Sequence, residues 1–150
     1  MGGGTSIRKG KSFERTVANA LTAAGITARR GLSQTRGGGC EEPDVVIDVF
    51  PDLHLECKHR KVITHRNALA QAAVDLQARE VKGLRILPVS VVKIHGEHRP
   101  TVGMWVKDAM ALTQRWVDGS PQLFAPMHFL RLQLDPIQVF TWEDFLQILK

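Results

Sequence analysis

The sequence predicts an α/β domain with a central mixed β-sheet flanked by helices. Three observations carry that prediction. Apolar residues recur at helical spacing over residues 11–24 and 64–82. Hydrophobic runs at 44–49 and 53–58 and a Val- and Ile-rich run at 84–95 read as strands. The resulting order of helix, hairpin, helix, strand, strand, helix puts helices on the faces of a sheet. At 150 residues with 43% apolar side chains, the chain suits a single domain, 1–150, with a substantial core.

Residues 1–10 open with Met1-Gly2-Gly3-Gly4 and are expected to form a flexible start. No hydrophobic segment follows that would make a signal peptide, and none is long enough to span a bilayer. The expected location is therefore cytoplasmic, with no membrane partner. Phe13, Val17, Ala20, Leu21 and Ala24 form the apolar stripe of the first helix, with Ser12 as its N-cap and Gly25 as its stop. Residues 29–42, rich in Gly, Ser, Arg and Thr, show no hydrophobic period and read as a loop. Strands at 44–49 and 53–58 follow, joined by a turn at Pro51-Asp52. The helix over 64–82 turns Leu69, Ala72, Ala73 and Leu76 inward, and the strand over 84–95 has Pro88 at a bulge or edge position. After a turn at 95–100, a strand at 101–105 leads into a helix at 106–115. Gly119-Ser120-Pro121 breaks the chain, and residues 119–150 form an extension of extended pieces. It closes with a helix at 142–149, capped by Thr141 with Asp144 as capping-box partner.

The formal charge is +5 and the isoelectric point about 9.6, which favours polyanionic partners and nucleic acid first. The basic residues cluster. Arg8, Lys9, Lys11, Arg30 and Arg36 crowd the first third, and His59, Arg60 and Lys61 form a second group; all are candidate contacts for DNA phosphates. Cys40 and Cys57 belong to no Cys-x-x-Cys pair, and Cys57 reads as a small core hydrophobe.

Side chains alternate faces along a strand. A three-residue loop of Phe50, Pro51 and Asp52 pairs Val49 with Leu53, Val46 with Glu56 and Asp44 with Lys58. It sets Val45, Ile47, Val49, Leu53, Leu55 and Cys57 on one face, and Asp44, Glu56 and Lys58 on the other. A two-residue loop would mix the two faces, so burial selects an odd-length loop or an equivalent bulge. Two carboxylates on adjacent strands repel unless a cation lies between them. Mg²⁺, with Mn²⁺ able to substitute, suits such a pair: Asp44 and Glu56 as ligands, the Cys57 backbone carbonyl as a neutral one, and Glu14 approaching from the helix. Lys58 points to the same face and can orient water or neutralise developing charge. The bland alternative is a solvated ion pair on a surface hairpin, worth about 0–1 kcal/mol.

Pro43-Asp44, followed after eleven residues by Glu56-Cys57-Lys58, resembles the PD-(D/E)XK nuclease signature. Upstream, Lys9-Gly10-Lys11-Ser12-Phe13-Glu14-Arg15 resembles the Lys-Gly-x-x-Phe-Glu-Arg start of archaeal-type Holliday junction resolvases, including those carried by phages. The resemblance covers roughly the first 105 residues in element order. It implies a restriction-endonuclease-like core and a dimeric, Mg²⁺-dependent endonuclease that nicks four-way DNA junctions. It also implies metal-binding roles for Glu14, Asp44 and Glu56, a catalytic role for Lys58, and a serine on the preceding loop, best matched by Ser33. Two alternatives stay open: another DNA nuclease of the same class (restriction-like, repair or end-processing), and a DNA-binding module without turnover. Gln71 is a further candidate to reach the site. His54, His59 and His65 fit no standard zinc spacing.

Overall fold

The structure is a computed structural model that describes residues 3–32, 42–77, 86–114 and 137–150. Its architecture is α/β. Six strands form one mixed sheet in sequential order: β1 (Ala28–Arg30), β2 (Val45–Ile47), β3 (Leu53–Arg60), β4 (Leu87–Ile94), β5 (Thr101–Trp105) and β6 (Ile137–Thr141). All neighbours are antiparallel except β3 and β4, which run parallel. A parallel pair needs a crossover, and α2 (His65–Gln77) lies within it. With α1 (Gly3–Ala23), α3 (Val106–Gln114) and α4 (Trp142–Ile148), four helices flank the sheet. This arrangement is consistent with a restriction-endonuclease-like core.

The larger core lies on one face. Phe13, Val17 and Leu21 of α1 meet Val45 and Ile47 of β2, Leu53, Leu55 and Cys57 of β3, and the corresponding residues of β4 and β5. Leu112 of α3 and Phe145 of α4 complete it. The opposite face is covered by α2, whose Ala68, Leu69 and Ala72 are fully buried. His65 lies so close to Gly103 that any Cβ there would collide with its ring. Its Nδ1 and Nε2 lie 2.8 Å from Ser90 Oγ and 2.9 Å from Thr101 Oγ1. Ser90 Oγ donates its one proton to the Gly103 carbonyl, so it accepts from His65 Nδ1–H; burial, which lowers the His65 pKa, leaves Nε2 to accept from Thr101.

Several boundaries differ from expectation. The first helix begins at Gly3, well before residue 11, and Ser12 lies in its interior, where its carbonyl accepts from Thr16 Oγ1 at 3.0 Å. No proline interrupts this stretch, and the helical cost of a glycine, about 1 kcal/mol, did not stop the helix. Its C-terminus is as expected: Gly25 adopts φ 88°, and Ile26 N–H donates to the Leu21 carbonyl at 3.0 Å in a Schellman closure. The 29–42 segment contributes a short strand, β1, paired residue by residue with β2. Pro88 occupies neither a bulge nor an edge strand. It sits near the start of the interior strand β4, before the β5 pairing opens at Val89–Met104. Thr141 caps α4 by accepting from the Asp144 N–H at 3.1 Å.

The hairpin preserves the expected faces with a different loop. Val45 pairs with Leu55, so the connection between β2 and β3 spans five residues, an odd number. In this register Val46 no longer faces Glu56, and Asp44, just before β2, donates its N–H to the Leu55 carbonyl instead of pairing with Lys58. Val49 leaves the apolar face and lies exposed in the turn.

Candidate metal centre at the end of the β2–β3 hairpin

The acidic residues converge because β2 ends where β3 continues. Asp44 immediately precedes β2, and both its backbone groups are taken: its N–H donates to the Leu55 carbonyl at 3.0 Å, and its carbonyl accepts from Gly31 N–H at 2.8 Å. Its Oδ2 accepts from the Cys57 N–H at 2.8 Å. The side chain is thereby locked over the next turn of the β3 pleat, beside Glu56. Burial raises the Asp44 pKa, opposed by the Cys57 N–H and by Lys58. Glu56 is 6% exposed, and burial followed by the Asp44 charge pushes its pKa up to about 7. Lys58 Nζ lies 2.5 Å from Glu56 Oε1 and counters part of that shift.

Glu14 reaches the same region from α1. Arg30 of β1 pairs with it at 3.4 Å, and its pKa is raised by burial and then by Asp44. The structure therefore brings together Glu14, Asp44, Glu56 and Lys58. It adds Arg30 as a partner of Glu14 inside the site, which leaves that guanidinium less available to a DNA phosphate than expected.

The Cys57 side chain is buried in the core, where burial drives its thiol pKa up. Its backbone points the other way. Leu55 presents its carbonyl toward Asp44, and orientation repeats every second residue, so the Cys57 carbonyl also faces the β2 side. It therefore lies on the edge of β3 from which the Cys57 N–H reaches the Asp44 carboxylate.

A second grouping was not anticipated. Ligand atoms of His54, Glu56 and Asp75 lie within 4.8 Å of one another. His54 is almost wholly buried on the Glu56 face of β3, and Asp75 comes from α2. Both signals exist in the sequence. His54, Glu56 and Lys58 share a face by alternation, and Asp75 sits three residues after Ala72 on the inward stripe of α2.

The donor set fits a divalent cation. If all ionise, Glu14, Asp44, Glu56 and Asp75 outweigh Lys58 and Arg30 by two negative charges. Asp44, Glu56, Glu14 and the Cys57 carbonyl offer the oxygen ligands that Mg²⁺ and Mn²⁺ prefer. The His54–Glu56–Asp75 side, with one imidazole, also suits a transition metal.

Among the other candidates, Arg8, Lys9, Lys11, Arg60 and Lys61 are exposed and His59 is half-buried. The His59 ring packs against Phe13 and His95, and its pKa is lowered by burial first and by His95 next. Gln71 is exposed on α2. Ser33 and Arg36 lie outside the described residues. No described helix is long and apolar enough to cross a membrane. No protein-family model and no curated protein matches the chain.

Proposed function

We propose that the protein is a Mg²⁺-dependent DNA endonuclease of the PD-(D/E)XK type that cuts four-way junctions as a homodimer. The observation that carries this reading is the meeting of Asp44, Glu56 and Lys58 on one face of a hairpin whose other face is core. Charged groups are rarely held at such depth without a partner or a task. Asp44, Glu56 and Glu14, with the Cys57 carbonyl, would hold the cation. When bound, it supplies Lewis-acid stabilisation of charge on a phosphodiester.

The chain's own groups do the rest. The Cys57 N–H fixes the Asp44 carboxylate, and Arg30 restrains Glu14. Lys58 holds Glu56 and presents an ammonium at the same point, able to orient the attacking water or to neutralise charge developing on phosphate oxygens. The exposed basic residues Arg8, Lys9, Lys11, Arg60 and Lys61 flank this centre and suit contact with DNA backbone. A two-fold pair of such sites matches the two strands that junction resolution must nick.

The test is incubation with Mg²⁺ and, in parallel, a four-way junction, a linear duplex of matched sequence and a single strand. Paired symmetric nicks confined to the junction are expected. Lys58→Ala should retain junction affinity while cleavage is lost, and Asp44→Asn should lose both cleavage and Mn²⁺ binding. Equal cutting of linear duplex would replace junction selectivity with a broader nuclease. Binding of DNA without cutting, unaltered by Asp44→Asn, would sink the enzymatic reading.

A further inference from the structure

Beside the acidic centre lies a cleft that the proposed reaction does not use. It opens between the first half of α1 and the ends of β3 and β4, with a volume of about 390 Å³. Ligand pockets commonly measure roughly 300–1,000 Å³, so the space is too large for a lone phosphate and adequate for a nucleotide. Lys9 and Ser12 line it from α1, His59 from β3, Lys93 from β4 and His95 from the turn that follows. Phe13 closes its inner side, its ring centroid 5.5 Å from that of His59. The His59 and His95 rings meet edge-on, with centroids 4.8 Å apart.

Two features define what the cleft can take. No carboxylate lines it, and among the described residues none forms an ion pair with Lys9 or Lys93. Two ammonium groups facing one space without a counter-charge favour an anion there. The flat rings beside them offer a face on which a base can stack. No residue of the metal centre lines the cleft, and His59 lies on the face of β3 opposite Lys58, but the two regions adjoin along both elements. Phe13 precedes Glu14 on α1, and His59 follows Lys58 on β3. His59 is three strand residues beyond Glu56, about 10 Å along β3.

We propose that this cleft holds one nucleotide of the DNA strand adjoining the cut, its phosphate between Lys9 and Lys93 and its base against the His59–His95 pair. The inference rests on the nuclease reading for its ligand and extends it to residues outside the acidic centre. It makes the enzyme a grip on an unpaired or splayed strand, which branched DNA supplies and continuous duplex does not.

The experiment uses full-length protein carrying Asp44→Asn, in EDTA, with a fluorescein-labelled oligothymidylate as probe and anisotropy read over a salt series. Loss of a single-strand phosphate contact lowers the slope of log affinity against log salt by about 0.7, so Lys9→Gln with Lys93→Gln, two lysines on the same phosphate, is expected to lower it by about 0.7. His95→Ala should weaken binding on the order of tenfold and leave the slope unchanged, the signature of lost stacking. An unchanged slope in the double lysine variant overturns the proposal. Should Lys93→Gln fail to fold, Lys9→Gln alone carries the test, since that side chain is exposed; a slope unchanged by it overturns the proposal equally. The two readings fail separately. Wild-type protein that cuts no DNA while the slope still falls removes the nuclease and leaves the cleft. Cutting with an unchanged slope removes the cleft alone.

Discussion

Alternate residues of β3 are equally hidden and energetically opposed. Leu53, Leu55 and Cys57 face the large core at 2%, 0% and 7% exposure, while His54 and Glu56 face α2 and the hairpin end at 1% and 6%. Burial stabilises the first set, at roughly 25 cal/mol per Å² of apolar surface removed from water. For Glu56 it opposes ionisation, and the raised pKa is the record of that cost. Depth alone therefore does not separate scaffold from site on this strand. What separates them is whether desolvation helps or hinders the group that undergoes it.

Exchanging one residue on each side of the strand gives the strongest test of that contrast. Leu55→Ala should cost about 2–5 kcal/mol in urea unfolding, by lost transfer energy and a cavity. Glu56→Gln should leave stability at pH 8 unchanged or raised, and reduce cleavage by at least about 100-fold. If Glu56→Gln destabilised as much as Leu55→Ala, Glu56 would belong to the scaffold and the contrast would fail.

The pH dependence sharpens the same point. Glu56 titrates near 7 in the folded protein against 4.5 for an ordinary glutamate carboxyl. The folded state therefore holds an extra proton between these values. Its contribution to stability is greatest below about pH 4.5, declines across the window and is lost above pH 7, a change on the order of 3 kcal/mol. Asp44 and Glu14 are shifted in the same direction. In EDTA, wild-type stability relative to Glu56→Gln should fall as pH rises from 4.5 to 8. Added Mn²⁺ should recover the loss in the wild type at high pH, by mass action. A difference that stays flat with pH would mean that Glu56 is not desolvated as described.

Gly31 offers a way to disturb the site without touching its side chains. A Cβ there would collide with the Pro43 carbonyl, immediately before Asp44. Gly31→Ala should cost about 1–3 kcal/mol and weaken Mn²⁺ binding in calorimetry. Unchanged metal affinity would show that Asp44 does not depend on this backbone approach. The smallest effect is expected far from the centre. Thr141→Ala removes the α4 cap and should cost about 1 kcal/mol in unfolding while sparing cleavage.

Much of the fold was legible because it is periodic. The strand at 101–105 and the helix starting at 106 follow from local pattern, as do the stripe of α1 and the cap of α4. The three residues of β1 are too few for alternation to register, and the strand exists only through its pairing with β2. The start of α1 was hidden by glycines that read as flexibility. Within the site, Asp44, Glu56 and Lys58 were legible from proline, spacing and parity. Arg30 read as a surface cation, and Asp75 as an unremarked acid on a helix, because their partners lie 16 residues or more away in sequence.

The chain by itself determined which residues of each strand share a face, since the pleat is a property of covalent geometry and repeats every two residues. Only the tertiary structure decided that Asp44 is held between the Leu55 carbonyl and the Cys57 N–H, that Arg30 turns to Glu14, and that α2 brings Asp75 to His54. Those outcomes depend on loop closure and on one element packing against another. Such long-range contacts leave no period in the sequence.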